Sequence, residues 1–149
     1  MKAHIFKVSL FYSKRIYRRI ACLGSQSLDD LHQAIFSAFD RYDEHLYSFY
    51  FPSKSTQSMR LIRSSVQYSH PMALDGMTYH EQHDATRVSI ESLGLLEKQK
   101  IYYLFDYGDK WWHEVTYEGI KDCKEKEYPS VLLKKGDSPE EYPDVDEYE

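Results

Sequence analysis

Cysteine is scarce: Cys22 and Cys123 are the two in 149 residues. They form neither a disulfide framework nor a metal-binding spacing, so a reduced, cytosolic protein is the default expectation. No apolar run approaches the length needed to span a bilayer, and no membrane association is expected. The N-terminal Met1-Lys-Ala-His-Ile-Phe6 alternates like a strand and lacks an uninterrupted apolar stretch, so no signal peptide is indicated. Nucleophile elbow, Walker loop, GxGxxG, paired CxxC and HExxH are all missing, which argues against serine-hydrolase, nucleotide, flavin and zinc-protease chemistry. No cofactor is expected. Acids are missing from residues 1–28, which carry Lys2, Lys7, Lys14, Arg15, Arg18 and Arg19, and bases are missing from residues 137–149. A basic strand pair can meet nucleic acid. The preferred reading is plainer: these charges meet the acidic tail or alternate outward from a sheet.

What is present is aromatic. Fourteen tyrosines and a 15% aromatic content suit half-buried sheet faces, where a ring packs and its hydroxyl stays wet. The dominant stretch is Ile101 to Glu118, two aromatic and β-branched runs joined through Asp106-Tyr-Gly-Asp-Lys110, a hairpin signal. Ile101, Tyr103 and Phe105 form one apolar row; Trp111, His113, Val115 and Tyr117 form another. These rows share a face only across a loop of odd length, Tyr107–Asp109 or Asp106–Lys110, since a slip of one residue flips every side chain. Positive φ is expected at Gly108 or, failing that, Asp109.

Elsewhere, residues 3–12 alternate with Phe6, Val8, Leu10 and Tyr12 on one side, and 15–23 place Ile16, Arg18, Ile20 and Cys22 on one face. Ser27 is a good N-cap for an amphipathic helix from Leu28 to about Asp40, with Leu28, Leu31, Ile35, Ala38 and Phe39 in one stripe that includes His32. A strand follows at Leu46–Phe51, stopped by Pro52. Residues 53–85 read as a long polar loop with a possible short strand near 59–62. Ser89 to Leu93 suggests one helical turn closed by Gly94, and Tyr128–Leu133 a final strand or short helix before a frayed acidic end. The expected architecture is a single α+β domain over 1–149, a mainly antiparallel sheet with one amphipathic helix packed on a face.

Histidines and carboxylates supply the candidate chemistry. His80-x-x-His83, beside His70, Glu81 and Asp84, is a weak metal candidate, because Pro71 and Gly76 argue for an irregular loop. Asp106, Asp109, His113 and His45 flank the hairpin turn and the helix end, and such a set can do acid–base work or hold a metal. The more economical reading is structural: Asp109 satisfies turn amides, and His113 finds a buried partner opposite Tyr103.

The segments Ile16-Tyr-Arg-Arg-Ile20, Leu28-x-x-Leu-His32, Asp43-Glu-His-Leu-Tyr-Ser-Phe49 and Tyr103-Leu-Phe-Asp-Tyr-Gly-Asp-Lys-Trp-Trp-His113 occur in the order of a known family. The chain resembles, from about residue 4 to 143, the plasmid pRi ORF-three-like family, also met as insertion-element passenger TnpR-like proteins. Tyr17 stands where that family often has tryptophan, and the family's cysteine-containing segment near the C-terminus has no counterpart here. The resemblance implies an α+β fold and no established activity. Its motif residues here are Arg18, Arg19, His32, His45, Asp106, Gly108, Asp109, Trp111 and His113. Arg18, Arg19, His32 and Trp111 are taken as binding candidates. The resulting expectation is a non-enzymatic cytosolic binding or interaction module, transposon-associated, with a protein partner or, less well supported, nucleic acid. The alternative is a metal-dependent or acid–base, hydrolase-like enzyme built on Asp106, Asp109, His113 and His45.

Overall fold

Two strands of opposite charge, one basic at the N-terminus and one acidic after the hairpin turn, lie side by side in the middle of an eight-stranded mixed sheet. The computed structural model describes residues 1–74 and 81–142. The strands are β1 (Lys2–Leu10), β2 (Ser13–Cys22), β3 (Tyr47–Phe51), β4 (Val66–Ser69), β5 (Gln82–Asp84), β6 (Lys100–Phe105), β7 (Trp111–Asp122) and β8 (Ser130–Lys135). Their spatial order is β5-β4-β3-β6-β7-β1-β2-β8, with every neighbouring pair antiparallel except β4–β5. The helices are α1 (Leu28–Ala38) and the short α2 (Met59–Arg63). The chain is therefore α+β and mostly sheet.

The β6–β7 hairpin takes the five-residue form of the expected loop. Ile101 pairs with Val115, Tyr103 with His113 and Phe105 with Trp111, leaving Asp106–Lys110 as the connection. Positive φ falls on Asp106 (66°) and Lys110 (58°) rather than on Gly108 or Asp109. An aspartate tolerates this conformation because its short side chain bonds locally, and Asp106 Oδ1 does so, accepting from the amides of Gly108 at 3.0 Å and Asp109 at 3.3 Å. The amide-satisfying role assigned to Asp109 thus belongs to Asp106.

Helix α1 starts with a reciprocal capping box. Ser27 Oγ accepts from the Asp30 amide, while Asp30 Oδ2 accepts from the Ser27 amide at 2.9 Å. Replacing Ser27 by alanine is expected to lower stability by about 1 kcal/mol, read as a shifted urea midpoint with unchanged slope. The helix ends at Ala38, earlier than the Asp40 expected, since Asp40 already has φ 56°. Its stripe, Leu28, Leu31, Ile35, Ala38 and Phe39, with His32, is buried in one core with Phe6, Val8, Ile20, Tyr47, Phe49, Ile101, Tyr103 and Phe105. On the opposite face Tyr50, Tyr102, Leu104 and Trp112 pack with Phe11 and with Ile62 of α2.

Several expectations need correction. Residues 59–62 are helical, because Ser58 caps the segment and Ile62 alone is buried, a pattern with no strand alternation. The supposed long loop at 53–85 also supplies β4 and β5, and a 3-10 turn over Pro71–Ala73. Tyr12 does not continue the β1 row; it sits in the β1–β2 turn, 75% exposed. Of the two forms open to Tyr128–Leu133 the strand is found, shifted to Ser130–Lys135 as β8. A turn over Ile90–Leu93 closes on Gly94 in the left-handed region as expected.

Among the described residues, the basic N-terminal strands find acids on β7. Lys2 pairs with Asp122, Lys14 with Glu114, and Arg19 with Glu118. No helix is long and apolar enough to cross a membrane among the described residues.

Candidate functional site

The turn after α1, the β6–β7 turn and the returning C-terminal segment converge on one end of the sheet. Arg41 leaves the helix end and is buried, its guanidinium carbon 5.1 Å from the Phe39 ring centre, 5.0 Å from Phe105 and 5.4 Å from Trp111. Three ring faces stabilise the desolvated cation through their quadrupoles. Arg41 Nη2 donates to His113 Nε2 at 2.9 Å, and His113 Nδ1 donates to the Tyr103 carbonyl at 3.2 Å. Both bonds together require the neutral ring protonated on Nδ1. Burial, and then Arg41, hold the His113 pKa well below its ordinary value, consistent with that tautomer. Burial also lowers Arg41, to about 10, so it stays charged at neutral pH.

A second buried histidine lies beside the first. His32 stacks on Tyr47 at 3.8 Å, and the Tyr103 hydroxyl donates to its Nδ1 at 2.6 Å, with Glu44 3.6 Å from Nε2. Burial, reinforced by His70 and Arg41, pushes its pKa down to about 3.

Nearer the surface, His45 Nε2 lies 3.5 Å from Asp106 Oδ2, 3.8 Å from Glu141 Oε2 and 2.7 Å from the Tyr142 hydroxyl. Glu141 is 4% exposed. Its Oε1 accepts from the amides of Tyr42 at 2.9 Å and Asp43 at 3.3 Å. Its Oε2, with Arg41 Nη1 and Trp111 Nε1, is a buried polar atom without a hydrogen-bond partner among the described residues. Asp43, His45 and Glu141 each bring a ligand atom within 4.8 Å of the others.

Alongside runs a cleft of about 670 Å³ whose apolar walls are Leu10, Tyr12, Trp111, Trp112, Pro139 and Tyr142. Ser13, Asp109, Lys110 and Glu141 give it a polar edge.

The structure thus brings His45 and Asp106 together, puts Asp109 and Trp111 on the cleft, and keeps His113 in the core with both nitrogens committed. Among the binding candidates, His32 is enclosed in the core. Arg18 is 1% exposed, bonding to Ala38, Tyr17, Lys135 and Ser138. Arg19 forms a forked pair with Glu118 elsewhere on the sheet. Of the weak metal candidates, His83 bonds to Glu81 and stacks on Tyr68, while His80 lies outside the described residues. Sequence reasoning missed Arg41, Asp43 and Glu141. The Asp43-x-His45 spacing was a usable signal, whereas Glu141 depends on a return of the chain across almost a hundred positions.

A crystal structure of a protein of unknown function, MM3350 from Methanosarcina mazei Go1, is similar in fold, with TM-score 0.68 and 25% identity, covering 89% of this chain and 69% of that one. None of the curated proteins is a match. The model of the plasmid pRiA4b ORF-3-like protein family matches residues 2–149. A match of that extent, over a fold carrying the hairpin and helix segments in the family's order, means that this chain belongs to the plasmid pRiA4b ORF-3-like protein family.

Proposed function

We propose that this protein is a non-enzymatic binding module of the cytosol that holds a segment of a protein partner in the cleft beside the β6–β7 turn. The observation that carries this reading is the lining: both tryptophans of the chain and two exposed tyrosines, Tyr12 and Tyr142, face one opening together with Leu10 and Pro139. Aromatic-walled grooves accept segments bearing proline or aromatic rings, and tyrosine and tryptophan supply contact area at low entropic cost. The exposed Asp109 on the polar edge suits a basic side chain in that segment. A net charge of −5, with Lys2, Lys14 and Arg19 of the N-terminal bases paired to β7, favours a protein partner over nucleic acid. The plasmid reference in the family description supports an association with mobile genetic elements.

Because the two tryptophans line the cleft, intrinsic fluorescence reports on its occupation. Peptides selected from a displayed library on the full chain are expected to share a proline or aromatic residue beside a basic one and to change that fluorescence. Tyr12→Ser, a change at an exposed turn, is expected to weaken them about tenfold. Equal affinity for the variant would place the site elsewhere.

A second reading, a metal-dependent or acid–base enzyme of hydrolase type, has the 3.5 Å approach of His45 to Asp106 in its favour. Against it stands His113, buried and hydrogen-bonded at both nitrogens.

A further inference from the structure

We infer that Asp43, His45 and Glu141 form a binding site for one divalent transition-metal ion. Asp43 and His45 come from the short connection between α1 and β3, and Glu141 from the C-terminal segment that folds back over it. One ligand atom from each lies within 4.8 Å of the other two. Nitrogen and oxygen ligands bond zinc at roughly 2.0–2.2 Å, so tetrahedral ligands sharing an ion stand roughly 3.3–3.6 Å apart. His45 Nε2 and Glu141 Oε2, 3.8 Å apart, are already near that spacing, and the exposed Asp43 closes the remaining gap, about 1 Å at most, by side-chain rotation.

The placement of Glu141 points to a cation. Two backbone amides fix Oε1, which orients the carboxylate as outer-shell hydrogen bonds orient metal ligands. That leaves Oε2 buried, without a donor among the described residues, and aimed at His45 Nε2. A carboxylate oxygen enclosed without a donor is costly, and an ion held between it, His45 and Asp43 removes the cost. Asp106 Oδ2, 3.5 Å from the same His45 nitrogen, stands ready as a fourth ligand. Asp43, Glu141 and Asp106 surround His45 with carboxylate while the buried Arg41 acts on Glu141, which leaves a net negative site suited to a divalent ion. One imidazole among carboxylates suits zinc, cobalt or manganese rather than calcium or magnesium. The ion takes the place of the Tyr142 hydroxyl on His45 and pins the C-terminal segment along the cleft wall, where Glu141 also stands. The ion site does not require a peptide in the cleft.

The test is calorimetric titration of zinc, and then of cobalt with its visible absorption recorded, into the full chain after chelator treatment and dialysis. One equivalent is expected to bind with micromolar or tighter affinity and to raise the melting temperature. His45→Ala, at a partly exposed position, and Glu141→Gln, which keeps the Oε1 acceptor, are each expected to weaken binding at least about a hundredfold. His83→Ala is expected to leave it unchanged, since His83 pairs with Glu81 elsewhere. If Glu141→Gln does not fold, His45→Ala decides. Absence of binding at millimolar zinc overturns the inference, and so does binding that survives His45→Ala. Peptide binding lost in Tyr12→Ser with zinc binding intact separates the failure of one site from the other.

Discussion

Between pH 8 and pH 5 the protein is expected to lose about 4 kcal/mol of stability, most of it below pH 6.5, through His32 and His113. Each is buried and neutral in the folded state, with its pKa lowered, to about 3 for His32 and well below the ordinary value for His113. Unfolded, each returns to about 6.5. Between those limits the unfolded chain binds more protons, so unfolding gains about 1.4 kcal/mol per histidine for every unit the pH falls. The stability that depends on neutral rings is whole above the unfolded value and is lost as the pH drops through it. His4, also lowered by burial against an opposing Glu91, adds in the same direction. Carboxylates act in a separate, lower window. Asp84 is held down chiefly by Thr86, and Glu114 by Lys100 and Lys14 against its burial; both bear on stability only as the pH nears the carboxylate range.

Geometry explains why the core cannot take the proton. A charged His113 would present an N–H at Nε2 to Arg41 Nη2, donor against donor at 2.9 Å, beside a buried cation. His32 can turn the Tyr103 hydroxyl into an acceptor, so its penalty is mainly desolvation between Tyr47 and Phe105. Urea unfolding from pH 8 to pH 5 measures the slope, expected near 2.7 kcal/mol per pH unit below pH 6. His113→Gln, which can still accept from Arg41 and donate to the Tyr103 carbonyl, is expected to halve that slope while lowering stability at pH 8. A flat profile would mean that both rings charge freely in the folded protein.

Legibility followed locality. The hairpin register could be read because alternation fixes which rows share a face, and the loop parity followed from that alone. The Ser27 cap and the burial of Leu28, Leu31, His32 and Ile35 could be read because one helix turn carries the whole signal. What escaped was decided far along the chain. Segment 59–63 has a single buried residue, Ile62, too little for any period, and β5 exists only because it pairs with β4 across the intervening residues. At the candidate site, His45 and Asp106 stood out by residue type beside a turn. Arg41 carries no local signal in the sequence, and only its place among Phe39, Phe105 and Trp111 shows it to be a core cation. Glu141 lay in a stretch read as a frayed acidic end, yet it is nearly inaccessible and caps two amides of the α1–β3 connection.

Arg18→Ala is expected to cost about 4 kcal/mol, a large share of the roughly 5–15 kcal/mol that holds a domain of this size together. Arg18 is enclosed, and its planar fork makes four bonds at once: Nε to the Ala38 carbonyl at 2.8 Å, Nη1 to the carbonyls of Tyr17 and Lys135 at 2.9 and 3.0 Å, and Nη2 to Ser138 Oγ at 2.7 Å. One side chain thereby joins the end of α1, the β2–β8 edge and the start of the C-terminal segment, with the Phe39 ring 4.6 Å beneath it. Truncation leaves a helix-terminal carbonyl without its donor and opens a cavity of side-chain size. Methionine refills the volume and is expected to recover about half of the loss. Lysine keeps the charge but cannot reproduce the fork, so Arg18→Lys is expected to remain well below wild type. The damage should be local in its first signs: amide exchange in β8, at an edge of the sheet, should quicken while the β6–β7 hairpin stays protected. Because Ser138 leads the chain towards Glu141, Arg18→Lys should also loosen the Oε1 bonds to Tyr42 and Asp43, seen as faster exchange of those two amides. Wild-type stability and exchange in Arg18→Lys would show that charge alone suffices there, and that the fork is incidental.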